Sequence, residues 1–131
     1  MAAVRKQVAT EPVYQLKVTL KGSRPPIWRR FQVPADFSLH KLHLILQVVM
    51  GWANYHLYRF EIGGTQFGEP DPENDSYGLV MKNSEGAKLA KVASAEKANF
   101  IYEYDFGDSW EHEVLVYCSS NSFTMFTKGI L

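Results

Sequence analysis

Between Phe100 and Tyr117 the chain reads FIYEYDFGDSWEHEVLVY, and six of these residues could do chemistry: Glu103, Asp105, Asp108, Glu111, His112 and Glu113. Carboxylates and an imidazole this close in sequence are the material of a divalent-cation site or of acid–base catalysis. Two β-prone runs flank a Phe106-Gly107-Asp108-Ser109 turn. Strand side chains alternate sides, so register decides between a site and an ordinary charged hairpin. With Gly107-Asp108 as a two-residue turn, Asp105 faces Trp110, Glu103 faces His112 and Ile101 faces Val114. Tyr104 then meets Glu111 and Tyr102 meets Glu113 on the other side, and no carboxylate opposes another. A loop longer by one residue sets Asp105 against Glu111 and Glu103 against Glu113, which demands a bound cation. The first register is the expectation, with Glu103, Asp105, Trp110 and His112 on one face. Glu103, Asp105, His112 and Glu113 are the metal candidates of the alternative.

Nucleophilic pairs fail on strand geometry. Ser109 and His112 are three positions apart and point to opposite faces of a strand. His112 and Cys118 share a face, but six residues at about 3.3 Å each separate them by about 20 Å. No G-x-S-x-G elbow, H-E-x-x-H, Walker loop or G-x-G-x-x-G occurs, and nothing in the pattern calls for a cofactor. His40 and His43 are spaced to reach one metal, with His56 as a third ligand; a polar helix edge bordering the core is the plainer reading. Asp71, Glu73 and Asp75 imitate the start of a calcium loop, but Ser76 and Lys82 stand where that loop needs Gly and Glu. That stretch reads as a solvated acidic loop.

A basic set lies at the other end of the chain. Lys17, Lys21, Arg24, Arg29 and Arg30 fall on the first two strands and their connection, with Trp28 among them. Arginine beside an aromatic ring can grip phosphate and stack a base, so Arg24, Trp28, Arg29 and Arg30 are the candidate nucleic-acid or ligand contacts. Against this, Arg29 and Arg30 point to opposite faces of one strand, and one of them could pair inward with Glu103 or Asp105.

The totals fit one small domain. A chain of 131 residues that is 46% hydrophobic can bury one core without staples. Fourteen basic and fourteen acidic residues cancel, so no global field draws in nucleic acid or anionic lipid, and such binding needs a local patch. A single cysteine, Cys118, excludes a disulfide framework and a cysteine zinc cluster. The N-terminus has no apolar core of about 7–15 residues, and no run approaches the roughly 20 apolar residues of a membrane helix. A reduced, cytoplasmic setting with no membrane partner is the expectation.

The elements that must position these residues follow from periodicity. Residues 1–12 read as a flexible N-terminus. Val13–Leu20 alternates, with Tyr14, Leu16, Val18 and Leu20 on one face, and Ile27–Val33 is a second strand closed by Pro34. Asp36 or Ser38 caps a helix over residues 39–50, whose stripe is Leu39, Leu42, Ile45, Leu46, Val49 and Met50. His40, His43 and Gln47 sit beside that stripe, and Leu44 and Val48 form a second apolar strip. Gly51 ends the helix. Residues 56–62 and 65–67 read as strands, 68–78 as a surface loop, and 79–97 as ambiguous with a short helix at Ala87–Ala93. The hairpin then spans about 99–117, and 118–131 is a tail without clear period. The pattern predicts α+β architecture: one domain over 13–117, an antiparallel-rich sheet with the 39–50 helix on one face.

Three segments, PPIWRRFQVP (25–34), HLILQVVMGWANYHLYRFEI (43–62) and FIYEYDFGDSWEHEV (100–114), together resemble the plasmid pRiA4b ORF-3-like family. The matching positions are Pro26, Trp28, Arg29, Arg30, Gly51, Trp52, His56, Phe60, Tyr104, Asp105, Phe106, Gly107, Asp108, Trp110, His112 and Glu113. The resemblance implies an α+β fold in a family of bacteria and archaea without an assigned biochemical activity. It also implies a link of some members to plasmids or insertion elements, although this chain shows no recombinase pattern. Family members usually continue past the last strand with a Pro-, Cys- and Gly-rich segment and a further helical part. The resemblance thus implies a C-terminally shortened member that could need a partner to shield apolar surface.

The functional expectation is a non-enzymatic protein-interaction module that binds an unknown protein or itself, in plasmid or insertion-element biology. Neutral charge, absent catalytic geometries and the Leu44–Val48 strip motivate it. The alternatives are a nucleic-acid accessory protein using Arg24, Trp28, Arg29 and Arg30, and a metal-dependent enzyme using the carboxylates and His112.

Overall fold

The computed structural model describes residues 12–70, 81–93, 98–120 and 127–128. Among the described residues, eight strands form one sheet: β1 Val13–Leu20, β2 Ile27–Pro34, β3 Tyr58–Ile62, β4 Thr65–Gly68, β5 Met81–Asn83, β6 Asn99–Tyr104, β7 Trp110–Ser120 and β8 Thr127–Lys128. Their order is β5-β4-β3-β6-β7-β1-β2-β8. Every pairing is antiparallel except β4 with β5. The main helix α1 spans Leu39–Met50, and a 3-10 turn at Ser84–Gly86 leads to a one-turn helix α2, Leu89–Val92. This is the predicted α+β domain, an open and mostly antiparallel sheet with α1 on one face.

The helix forms where its ends and its stripe dictate. The Ser38 side chain accepts from the Lys41 N–H, and Gly51 closes the C-terminus at φ 79°, a left-handed conformation that costs glycine nothing. Such a cap contributes about 1 kcal/mol. Full burial of Leu39, Leu42 and Leu46 at about 2 kcal/mol each outweighs it, so packing holds α1 on the sheet. Beneath them lie Tyr14, Leu16 and Val18 of β1, Phe31 and Val33 of β2, Tyr58 and Phe60 of β3, Phe100, Tyr102 and Tyr104 of β6, and Val114 and Val116 of β7.

Several expectations shift. The buried residues of α1 are Leu39, Leu42, His43, Leu46 and Gln47, whereas Ile45, Val49 and Met50 are only partly covered. The stripe is therefore rotated by part of a turn toward His43 and Gln47. β5, in the segment left ambiguous, adds a parallel edge strand against β4. The strand beginning at Trp110 runs on to Ser120 and includes Cys118. Asp71, Glu73 and Asp75 lie outside the described residues.

The hairpin register differs from both sequence alternatives. Tyr104 pairs with Trp110, Glu103 with Glu111, Tyr102 with His112 and Ile101 with Glu113, leaving Asp105–Ser109 as a five-residue connection. Asp105 and Ser109 both adopt positive φ, 66° and 56°, which a two-residue Gly107-Asp108 turn does not need. Like charges do meet, at Glu103 and Glu111. They are tolerated because Arg59 lies 2.6 Å from Glu103 and Lys21 lies 3.4 Å from Glu111. The cations that the register demands come from the protein.

Candidate functional site

Between α1 and the sheet lies a layer of polar side chains. The Tyr102 hydroxyl donates to His43 Nδ1 at 2.7 Å and accepts from Gln47 Nε2 at 2.8 Å. His43 Nε2–H donates to Asn54 Oδ1 at 2.9 Å, and the Asn54 N–H donates to Gln47 Oε1 at 2.7 Å. The four residues close a ring, and the partners fix the tautomer: Asn54 Oδ1 only accepts, so Nε2 carries the proton. Stacking of the His43 ring on Tyr58, centroids 3.6 Å apart and 6° from parallel, holds the imidazole flat. Tyr58 in turn shares its hydroxyl with Ser84 at 2.7 Å and His40 Nδ1 at 3.2 Å.

A second buried imidazole sits alongside. His112 Nδ1–H donates to the Tyr102 carbonyl at 3.0 Å, and Nε2 accepts from the Trp52 indole N–H at 3.1 Å. Both nitrogens are used by neutral partners, and burial lowers its pKa. Burial also pushes His43 down to about 4, with the nearby His40 adding to the fall and the Asn54 bond opposing it. Burial raises Tyr102 and Tyr58 above the ordinary phenol value. His43, His112, Tyr102 and Tyr58 are thus held neutral and hydrogen-bonded, and the layer fixes α1 on the sheet.

Around the Asp105–Ser109 turn the polar groups are of another kind. The Ser109 hydroxyl donates to Glu103 Oε2 at 2.7 Å, completing the buried carboxylate that Arg59 pairs with. Asp105 accepts from the Gly107 N–H at 3.1 Å, and its other oxygen is 3.6 Å from His56 Nε2. The Asp105 N–H donates to the Leu57 carbonyl, and the Tyr55 N–H donates to the Tyr104 hydroxyl, so the Gly51–Leu57 connection is tied to this turn. Asn54, Asp105 and Ser109 are the non-glycine residues with positive φ among those described, and all three lie here. Backbone strain of this kind gathers at functional sites.

The same end of the sheet exposes apolar side chains. Three connections meet there: Lys21–Pro26, Gly51–Leu57 and Asp105–Ser109. In or beside them stand Ile27, Tyr55, Leu57, Phe106 and Trp110, between 40% and 84% exposed, and Val48 in the last turn of α1 is 80% exposed. Trp110 is braced by Trp52, ring centroids 5.6 Å apart, and Phe106 by the Arg59 guanidinium at 5.7 Å. Leu44, one helical turn before Val48, is also exposed, so the predicted second strip of α1 faces outward.

The predicted site residues separate into these regions. Tyr104, Trp110 and His112 lie on the helix face of the sheet, while Glu103, Glu111 and Glu113 lie on the opposite face. The expectation that Glu103, Trp110 and His112 share a face is therefore corrected, and Asp105 belongs to the turn. The metal candidates Glu103, Asp105, His112 and Glu113 do not converge. No group of three or more His, Cys, Asp or Glu among the described residues is placed to hold a metal. His40 and His43 are neighbours, ring centroids 6.1 Å apart, but both His43 nitrogens serve the ring of hydrogen bonds.

On the basic side, β2 is separated from β6 by β7 and β1, about 14 Å, so neither Arg29 nor Arg30 reaches Glu103 as a direct partner. Arg30 pairs in register with Lys17, and both cations lie over Trp28, at 5.4 and 5.1 Å. Arg29 is on the other face and donates to the Trp28 carbonyl. Arg24 is exposed in the β1–β2 connection. Sequence reasoning missed the Tyr102–His43–Gln47–Asn54 ring. Its signal was present, since Leu39, His43 and Gln47 recur at helical i, i+4, i+8 spacing.

Fold and site define an open-sheet α+β domain with a neutral buried polar layer and an aromatic, strained end. The chain belongs to the family described as "Plasmid pRiA4b ORF-3-like protein", whose model matches residues 12–124. It is 39% identical over 104 residues to "Uncharacterized protein y4hQ" of Sinorhizobium fredii, covering 79% of this chain and 53% of that one. The crystal structure of protein of unknown function MM3350 from Methanosarcina mazei Go1 superposes with a TM-score of 0.77 at 32% identity, over 90% of this chain and 68% of that one. The chain thus spans about half the length of the curated relative it matches.

Proposed function

We propose that this domain is a protein-interaction module working through the end of the sheet where the Gly51–Leu57 and Asp105–Ser109 connections meet. The carrying observation is the exposed set Val48, Tyr55, Leu57 and Trp110, with Phe106 exposed over Arg59 toward the opposite face. Large apolar side chains gathered at one place mark binding surfaces, whereas scattered ones need no explanation. Aromatic residues on a braced scaffold are the usual anchors of such surfaces. The neutral state of His43 and His112 supports a non-enzymatic role, because neither imidazole is free to exchange a proton with a substrate. The family description, which names a plasmid reading frame, supports plasmid or insertion-element biology as the setting.

The test is a triple variant, Val48→Ser, Tyr55→Ser and Leu57→Ser, compared with the parent by light scattering and by affinity capture from the source cells. These side chains are mostly solvated, so the melting temperature should hold while association is lost. A parent protein that neither self-associates nor captures anything the variant fails to capture would sink the reading.

A second reading has one observation in its favour. Lys17, Trp28 and Arg30 share one face of the β1–β2 pair, as a nucleic-acid contact requires. Gel-shift titration would show salt-dependent binding that weakens with Lys17→Ala and Arg30→Ala.

A further inference from the structure

We propose that the exposed end is the interface of a two-fold symmetric homodimer. This rests on reading that end as a protein-binding surface and names its occupant, a second copy of this chain.

Register sets two half-exposed apolar side chains, Ile27 and Trp110, on one face at this end of the sheet. Ile27 of β2 pairs with Leu20 of β1, and Leu20 pairs with His112 of β7. Trp110 lies two residues before His112 on the same face, with its ring against Trp52. Ile27 and Trp110 are each 40% exposed, while His112 between them is fully buried, so two separate apolar side chains are left uncovered near the end of α1.

The flanks of this pair carry opposite charge. On the β6–β7 side, Glu103 and Glu111 already hold Arg59 and Lys21, and His56 stands beside Asp105. What remains is negative: Asp105, and Asp108 exposed at the tip of the turn. On the β1–β2 side, Arg24 is exposed in the Lys21–Pro26 connection. The midlines of the two hairpins are two strand spacings apart, about 10 Å. A surface with Arg24 and Ile27 on one side and Trp110 and Asp108 on the other complements itself after a half-turn. The acidic flank of each copy then falls on the basic flank of the other. A purely acidic or purely basic partner would match one flank and be repelled by the other. The equal count of fourteen acids and fourteen bases leaves no net repulsion between copies.

The experiment is a charge exchange, read by sedimentation velocity on the full chain over a concentration series. The wild type should show a concentration-dependent dimer. Arg24→Glu alone and Asp108→Lys alone should each raise the dimer dissociation constant by about tenfold or more, since symmetry repeats each like-charge contact twice. Both positions are exposed, and circular dichroism should show both variants folded. An equimolar mixture of the two variants should recover association as a heterodimer, because each introduced acid then meets an introduced base and each native pair is retained. A monomer at every concentration, a dimer indifferent to both reversals, or a mixture that stays monomeric overturns the proposal. If Val48→Ser, Tyr55→Ser and Leu57→Ser abolish capture of a different protein by a monomeric wild type, the dimer falls and the interaction reading stands. If association of any kind ignores those three substitutions, the interaction reading itself falls.

Discussion

Glu103 and Glu111 face each other across the β6–β7 ladder, and each is matched by a cation from a different neighbour. Arg59 comes from the adjacent strand β3, where it pairs in register with Glu103. Lys21 comes from the end of β1 and also donates its backbone N–H to the Glu111 carbonyl. The two ion pairs are unequal: side-chain exposures are 29% and 8% for Arg59 and Glu103 but 51% and 41% for Lys21 and Glu111. Arg59→Met should cost about 2–3 kcal/mol in urea unfolding, because it strands a buried carboxylate opposite another. Lys21→Met should cost under about 1 kcal/mol. Adding Glu103→Gln to the Arg59 variant should recover part of the loss. Equal effects from the two cation substitutions would contradict the assignment.

The Tyr102 hydroxyl is the hub of the buried ring, serving His43 and Gln47 at once. Tyr102→Phe leaves an acceptor nitrogen and an amide donor unsatisfied and should cost about 2–6 kcal/mol, at roughly 1–3 kcal/mol per orphaned group. The same change in a His43→Leu, Gln47→Leu background should cost far less, since the groups it strands are gone. Thermal and urea unfolding of the four proteins would measure that coupling.

Acid should weaken the fold before its carboxylates titrate. Burial keeps His43 neutral down to about 4 and lowers His112 in the same direction. The unfolded chain takes up these protons near the ordinary histidine value of about 6.5. Between those points the unfolded state binds more protons, so stability rises with pH. The contribution is complete above about pH 6.5 and is lost progressively toward pH 4. Urea midpoints should therefore fall between about pH 7 and pH 5, and a His43→Gln, His112→Asn protein should show a much shallower dependence. A parent profile that is flat over that range would mean the imidazoles are not held neutral.

Gly68 tests the edge of the sheet. A Cβ there would stand 2.9 Å from the Tyr58 carbonyl oxygen and 2.6 Å from the Met81 sulfur. The methionine can move, but the backbone carbonyl cannot without opening the β3–β4 pair. Gly68→Ala should destabilise by about 1–3 kcal/mol, the range for forcing atoms into a packed site. Gly51→Ala should cost about 1–2 kcal/mol for a different reason, the left-handed φ of 79°. Pairing Gly68→Ala with Met81→Ala should leave most of its penalty in place if the carbonyl is the obstacle.

The sequence by itself determined the strands at 13–20 and 27–33, the helix at 39–50 with its Gly51 stop, and the α+β class, while the choice of Ser38 over Asp36 as the cap came from the structure. Those follow from local rules: alternation, helical spacing and the conformational freedom of glycine. It determined the family as well, because the PPIWRR and YDFGDSW segments carry that likeness in one dimension. Only the tertiary structure decided which face each hairpin residue takes. The five-residue connection at Asp105–Ser109 sets the register, and it forms because Leu57 and Tyr55 hold it from the α1–β3 connection, far away in sequence. Only the tertiary structure showed that like charges at Glu103 and Glu111 are supportable, since their cations come from β3 and β1. The 100–117 hairpin thus places Tyr102, Tyr104 and His112 inward, with Tyr102 bonded to α1, and its turn outward beside Tyr55 and Leu57. Side-chain parity is a property of one strand, but register and charge balance belong to the whole sheet.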